Sequence, residues 1–451
     1  MLDTDLDEIG WLGMGNGTID SLAAVVRGGL CTGCGICESL AGRDRVEMCL
    51  SAGGQLRPLI RGTLGNEETE RLLAVCPGVT ADGTAAGRSE PGTTLDPIWG
   101  PMRGLSRGWA TDPEVRHRAA AGGALTALGC FLLVSGRVDT ILHVRASAEN
   151  PMLTDAQVST TSEDVISGAQ SRYGPAAPLV HVKQLLDAGS RFAVIAKPCD
   201  IAAIRNLAHF DQRARTQIPY LLTLFCGGVP NLGTARRIAR FHGLEPEEVS
   251  TFRWRGEGWP GPTHVGAADG RSFDMTYDQT WFDPEVPWRY DVQWRCKICP
   301  DAIGELADIA CPDGWVLDPD GRALHEEVPG VNVVLERTSA GSELVAAAVA
   351  AGFLELAPLT RGDFEGMHRD HRQRRQGEPA RLRALESEGA AQPVVTGYRL
   401  DEAELEADPA LVESQFTGAV RRIRAGQASE PLVDPDPPSD DASPDSSDIS
   451  R

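Results

Sequence analysis

The residues best equipped for chemistry are cysteines. Cys296-Lys297-Ile298-Cys299-Pro300-Asp301 carries two thiols at C-x2-C spacing, within reach of one metal or cluster. Cys199, in Ala196-Lys197-Pro198-Cys199-Asp200, and Cys226, in Phe225-Cys226-Gly227-Gly228, each follow an apolar run that reads as a buried strand. In an open α/β sheet the ends of such strands gather at the carboxyl edge, where ligands bind. These four sulfurs are therefore expected to hold an iron–sulfur cluster. A second set opens with Cys31-Thr32-Gly33-Cys34-Gly35-Ile36-Cys37, the front of a bacterial ferredoxin-type [4Fe–4S] motif. Its glycines let the backbone wrap closely and aim N–H groups at the sulfurs. The fourth thiolate is expected from Cys76, whose Cys76-Pro77-Gly78 context carries the Cys-Pro signature, with Cys49 as the competitor. A zinc knuckle is the alternative use of the triplet, but zinc usually draws on separated pairs.

The other cysteines are less telling. Cys130 falls inside an apolar helical stretch and reads as core. Cys311 and Cys130 could serve as nucleophiles, yet no His motif accompanies either. Eleven cysteines without a secretory leader argue for ligands or redox groups rather than structural disulfides. The N-terminus, Met1-Leu2-Asp3-Thr4-Asp5, is acidic, and no apolar run approaches 18 residues. The formal net charge of −21 argues against nucleic-acid binding and favours a cytoplasmic protein without an integral membrane segment. Only Lys183, Lys197 and Lys297 are lysines, among 43 basic residues, and two of the three sit beside candidate cluster cysteines. Chance placement is the plain explanation. Compact positive charge beside a cofactor is the other.

These residues need elements to position them. At 451 residues the chain exceeds one ordinary core. We divide it into an acidic lead-in (1–27), an iron–sulfur unit with a linker rich in Gly, Thr, Ala and Pro (28–100), a catalytic unit (101–400), and a C-terminal helix with a disordered acidic tail (401–451). Strands are expected at 138–144, 192–196 and 220–225, with helices from 121 to about 134 and over 179–186, 200–207 and 231–241. That alternation predicts an α/β fold with a mainly parallel or mixed sheet covered on both faces. The sheet pattern then dissolves at 253–262. Trp281, Trp288, Tyr290 and Trp294 form an unusual aromatic concentration, which either covers the sheet or shields a planar ligand. The Arg-rich stretch 361–386 reads as a solvated helical face.

Taken together, these motifs resemble the coenzyme F(420) hydrogenase/dehydrogenase β-subunit family. Besides the cysteine motifs, the likeness rests on Gly122-Gly123-Ala124-Leu125-Thr126-Ala127, Ser171-Arg172-Tyr173-Gly174-Pro175, Lys197-Pro198-Cys199-Asp200 and Asp308. The resemblance implies a flavin domain preceded by a ferredoxin-like iron–sulfur domain. It also implies one FAD and two [4Fe–4S] clusters, one on Cys31, Cys34, Cys37 and Cys76, the other on Cys199, Cys226, Cys296 and Cys299. The Gly122-Gly123 turn and Thr126 would meet the flavin pyrophosphate at a helix N-terminus, and Tyr173 would contact the flavin. Lys197 and Lys297 would place positive charge near the flavin ring as catalytic residues. Two departures are notable: Ala196-Lys197 stands where relatives carry Gly-Thr, and Cys311 where they carry a small residue that is not cysteine. The implied activity passes electrons between a ferredoxin-like one-electron carrier, or a redox partner subunit, and a small-molecule hydride acceptor or donor, either a deazaflavin or another conjugated molecule. A relay subunit without a substrate site is the first rival, and a zinc-binding structural protein the second.

Overall fold

A computed structural model describes residues 19–85, 90–287 and 291–433. Its centre is an eight-stranded sheet. In chain order the strands are β1 (Gly104–Ala110), β2 (Thr140–Ala146), β3 (Thr154–Ser159), β4 (Phe192–Ile195), β5 (Tyr220–Thr223), β6 (Ile309–Ala310), β7 (Asn332–Glu336) and β8 (Leu354–Pro358). They lie in the order β8-β1-β7-β6-β5-β4-β2-β3. β2, β4, β5 and β6 run parallel, while both flanks are antiparallel, so the sheet is mixed.

Alternation along the parallel strands explains why helices cover both faces. Leu142, Val194 and Leu221 enter one core with Leu179, Val182, Ile201 and Ile204. Their sequence neighbours Ile141, Ala193 and Leu222 enter the opposite core with Leu128, Leu132 and Leu344. Helix α1 (Ala124–Val134) packs on the second face, and α2 (Pro198–Phe210) on the first. Both begin at the sheet's carboxyl edge. α2 starts with Pro at its first position, where the missing N–H costs nothing.

Three expectations need correction. The stretch 79–100 is no plain linker: Thr80–Asp82 forms a parallel pair with Val394–Thr396, and Ile98 and Trp99 are buried in the core. The chain at 253–262 does not end sheet structure, because 249–253, 263–267 and 272–275 form a separate three-stranded sheet. The Arg-rich stretch is not simply a solvated face either. Arg375 and Glu378 are buried; Arg375 pairs with Glu305, and Arg381 reaches Glu378 at 3.1 Å. The stretch forms three helices, Arg361–Met367, Arg369–Gln376 and Glu378–Ser387, whose inward faces mix apolar side chains such as Phe364, Met367 and Leu385 with these buried charges.

The C-terminal helix runs from Pro409 to Arg424. The start of the supposed tail is structured, since Glu430 returns to the N-terminal region. Trp288, Tyr290 and the tail beyond 433 lie outside the described residues. No described helix is long and apolar enough to cross a membrane.

Candidate functional site

The first cysteine set is assembled by backbone that only glycine tolerates. Gly33 and Gly35 have φ of 76° and 82°. A Cβ on Gly35 would lie 2.6 Å from Val180 Cγ1. Helix Ile36–Ala41 starts at Gly35 and carries Cys37 in its first turn. Cys76 ends helix Asn66–Val75, where Pro77 blocks continuation. Gly78 lets the next turn pass beneath the triplet, since a Cβ there would stand 2.3 Å from the Leu30 carbonyl oxygen.

Thiols 31, 34, 37 and 76 feel one another's charge, and burial raises all four pKa values, Cys76 to about 11. Cys49 stands apart on the hairpin strand Val46–Leu50, where the charges around it are Glu47, Arg61, Glu38 and Arg43, with no cysteine among them. The packing agrees, since Cys76 joins the apolar cluster around Cys31 and Cys37 and Cys49 does not.

The second set forms at the sheet edge. Cys199 lies in the first turn of α2, and Cys226 follows β5. Cys296 sits in the short helix Trp294–Lys297, and Cys299 just beyond it. Burial raises the Cys226 thiol to about 12, and Cys296 and Cys299 add to the effect; Cys199 in turn feels Cys226 and Cys299. All four line one small cavity with Arg295, Asp301 and Arg374. Among the described residues no three His, Cys, Asp or Glu side chains converge as ligands of a single ion would. The grouping rests on the shared cavity and the mutual charge effects.

Donors surround both sets. The backbone at Gly33, Ile36, Glu38, Gly78 and Val79 hydrogen-bonds the first-set sulfurs, and that at Gly228 hydrogen-bonds Cys226. Val229 N–H and Gln293 Nε2 donate to Cys296 Sγ, each at 3.4 Å. Donors aimed at sulfur suit thiolates, which are how cysteines ligate a cluster.

The two sets are neighbours. Gln293 Nε2 also donates to the Thr32 carbonyl at 3.3 Å, and Arg295 bonds the carbonyls of Ile298 and Pro77 at 2.9 Å each. Arg374 donates to the Cys226 and Gly227 carbonyls at 3.1 Å and also to that of Cys296.

Cys226, Gly228 and Val229 are shared with a larger cavity of about 300 Å³, at the lower end for small-molecule sites. Its wall includes Gly123, Thr126, Tyr173, Lys197, Cys311 and Asp313. Gly122 is one residue removed; it is wedged so tightly between β1 and β7 that a Cβ would meet Asn332 N and Gly108 O at 2.7 Å. The Ala124 N–H at the helix start is taken by Asn332 Oδ1 at 3.1 Å, so this turn offers fewer donors than its Gly-Gly pattern suggests. Asn332 Nδ2 meanwhile bonds the Cys311 and Pro312 carbonyls, joining β7 to the turn.

Tyr173 packs edge-on against Trp254 and Trp281 and accepts from Arg255 Nη1 at 3.1 Å. Arg255 pairs with Asp313 at 2.8 Å, and its guanidinium lies over the rings of Trp259, Tyr277 and Trp315. Trp281 therefore backs a cavity residue, whereas Trp294 packs in the core around the first cysteine set.

Lys197 and Lys297 part company. Lys197 lines the cavity and pairs with buried Asp200 at 2.7 Å. Burial opposes its charge, but Asp200, Cys199 and Cys226 carry its pKa above the ordinary lysine value. Lys297 lines neither cavity; burial and then Arg422 lower its pKa.

Sequence reasoning missed His368 and His371, which line the cavity from the Arg-rich stretch. Each Nε2 is buried without a hydrogen-bond partner. Burial holds both imidazoles well below their usual pKa, that of His371 at about 3. Their rings pack at a tilt against Phe225, just after β5, with centroids 4.9 and 5.1 Å away. No motif marks them. His143, Asn332 and Arg255 were missed as well, since each acts through the folded neighbourhood.

The carboxyl edge of an α/β sheet thus brings a cysteine set up against a ligand-sized cavity. The chain belongs to the coenzyme F420 hydrogenase/dehydrogenase β-subunit family: the model of the β-subunit N-terminus matches residues 105–184, and that of its C-terminus residues 189–362. The second cysteine set lies inside that match and the first precedes it. The F420-dependent formate dehydrogenase 1 β subunit of Methanococcus maripaludis is 30% identical over 228 residues, covering 49% of this chain and 54% of that protein. The coenzyme F420 hydrogenase β subunit of Methanothermobacter thermautotrophicus is 23% identical over 261 residues, covering 55% and 82%. The match to the formate dehydrogenase subunit thus spans about half of that relative's length. A chain of the F420-reducing [NiFe] hydrogenase complex from Methanosarcina barkeri shares the fold, with a TM-score of 0.53 and 19% identity over 68% of this chain and 99% of its own.

Proposed function

We propose that this chain is an iron–sulfur flavoprotein that moves electrons between a one-electron carrier and a two-electron organic acceptor or donor. The observation that carries this reading is one of adjacency. Two sets of four cysteines stand side by side, and the second shares Cys226, Gly228 and Val229 with the cavity. The donor set fits two [4Fe–4S] clusters, held by Cys31, Cys34, Cys37 and Cys76, and by Cys199, Cys226, Cys296 and Cys299. The cavity, lined by Gly123 and Thr126 at the start of α1 and by Tyr173, fits part of an FAD. A flavin supplies the conversion between one- and two-electron chemistry, and clusters supply the one-electron side.

The chain's own residues prepare the site. Lys197 places a fixed positive charge on the cavity wall, and Asp200 holds it there. Arg255 and Asp313 orient the Tyr173 hydroxyl. His368 and His371 stay neutral and present hydrogen-bonding nitrogens without adding charge. Relatives named for coenzyme F420 make a deazaflavin the first organic partner to test. A relay subunit is the second reading, supported by relatives that are named as subunits.

Anaerobic purification with iron, sulfide and flavin quantified tests the main reading. About eight irons and one flavin per chain are expected, since two cubanes carry four irons each. A colourless zinc protein overturns it. Reduction of a deazaflavin by the isolated chain with an artificial one-electron donor favours the enzyme; loaded cofactors without turnover favour the relay.

A further inference from the structure

A buried arginine lies beside the first cysteine set and within reach of the second. Arg57, on the hairpin strand 56–60, is fully buried. Its guanidinium lies against the first cysteine loop, where a Cβ on Gly33 would stand 3.7 Å from Nη1, and it is near enough to Cys31 and Cys296 for their charges to act on it. Its Nη1 donates to the Leu56 carbonyl at 2.9 Å. Its Nε and Nη2 grip both carboxylate oxygens of Glu430 at 2.6 and 2.7 Å. Glu430 is delivered by the segment after helix 409–424, and its own N–H is fixed to the Arg27 carbonyl at 3.1 Å.

A buried guanidinium is expensive to desolvate, and a purely structural tie could be made more cheaply from apolar side chains. Its position gives it another use. Hydrogen bonds to sulfur, local charge and solvent exclusion set the potential of a thiolate-held cluster. A cation beside one set and within electrostatic reach of the other favours an added electron on both. The carboxylate paired with it opposes that effect.

We propose that Arg57 and Glu430 act as a matched pair of positioning residues that set the reduction potentials of both cysteine-held clusters, Arg57 raising them and Glu430 holding them down. This rests on the reading that the two sets hold clusters. The effect is largest at the first set, where Arg57 lies against the cysteine loop, and smaller at the second.

The test uses the full chain purified anaerobically, with Arg57→Gln, Arg57→Lys and Glu430→Gln variants. Iron and sulfide are counted, and each cluster is then titrated with the electron paramagnetic resonance of its reduced form as the readout. All variants are expected to hold the parent's iron. Arg57→Gln should lower the reduced-to-oxidised ratio of the first cluster about tenfold at fixed potential, which is about 59 mV for a one-electron couple. The second cluster should move the same way by less. Glu430→Gln should move both upward, and Arg57→Lys should return them toward the parent. A merely structural tie gives no such opposition of sign. Should Arg57→Gln lose iron, the milder Glu430→Gln change, at a carboxylate that is 21% exposed, decides alone. Full iron with unmoved midpoints, or shifts of one sign in both variants, overturns the proposal and leaves the cluster reading standing. A parent chain without iron overturns both.

Discussion

Replacing Lys197 by Met should destabilise the fold through Asp200 more than through any loss at Lys197 itself. The Asp200 carboxylate is fully buried, its Oδ2 meets Lys197 Nζ at 2.7 Å and Lys197 N at 3.1 Å, and its Oδ1 has no hydrogen-bond partner. Removing the ammonium strands that charge. Breaking a buried pair in this way costs about 3–5 kcal/mol. A chain of this length unfolds with an entropy of about 1 kcal/mol/K, so the midpoint should fall by about 3–5 °C if unfolding is cooperative. Adding Asp200→Asn removes the stranded charge and should recover most of the loss, a coupling of roughly 2 kcal/mol or more. Thermal unfolding of the cofactor-loaded chain under nitrogen measures both. Flavin content separates the roles: it should drop in Lys197→Met and stay low in the double variant, because the cavity wall still lacks its cation. A midpoint within about 1 °C of the parent, or a double variant no more stable than the single one, would refute the argument.

Other outcomes are equally open to measurement. Cys76→Ser should cost about four irons per chain, and Cys49→Ser none, as counted after anaerobic purification. His143 is buried, with Nε2 2.7 Å from Ser159 Oγ and Nδ1 3.1 Å from the Val144 carbonyl, and burial lowers its pKa to about 4 from 6.5. The unfolded chain therefore binds its proton first as pH falls. The stability this site contributes is complete above pH 6.5 and is lost progressively down to pH 4, by as much as about 3 kcal/mol. His143→Gln should flatten denaturant midpoints across that window. Asn332→Ala frees the Ala124 N–H and two carbonyls at once, so stability should fall by about 1–3 kcal/mol and flavin affinity with it.

How far the fold could be read from sequence depended on burial. The parallel strands 140–146, 192–195 and 220–223 are apolar on both faces, so their runs stand out. Gly104–Ala110 is half-buried along most of its length and carries Arg107 and two glycines, so no periodicity betrays it. The cysteines were legible because their chemistry depends on residue type and local spacing. His368 and His371 were not, because nothing in a stretch of alternating Arg and Gln shows that one helix turn faces a cavity. Arg57 was invisible for a similar reason. Its partner lies 373 positions away.

That separation has a consequence for how the molecule is made. The carboxylate that grips Arg57 and the strand 394–396 that pairs with 80–82 are both synthesised long after the first cysteine set has left the ribosome. At about 5–20 residues per second, the delay to Glu430 is on the order of 20–75 s. Through that interval the nascent unit lacks its closing segment, so Arg57 stays without its carboxylate partner until the late segment docks.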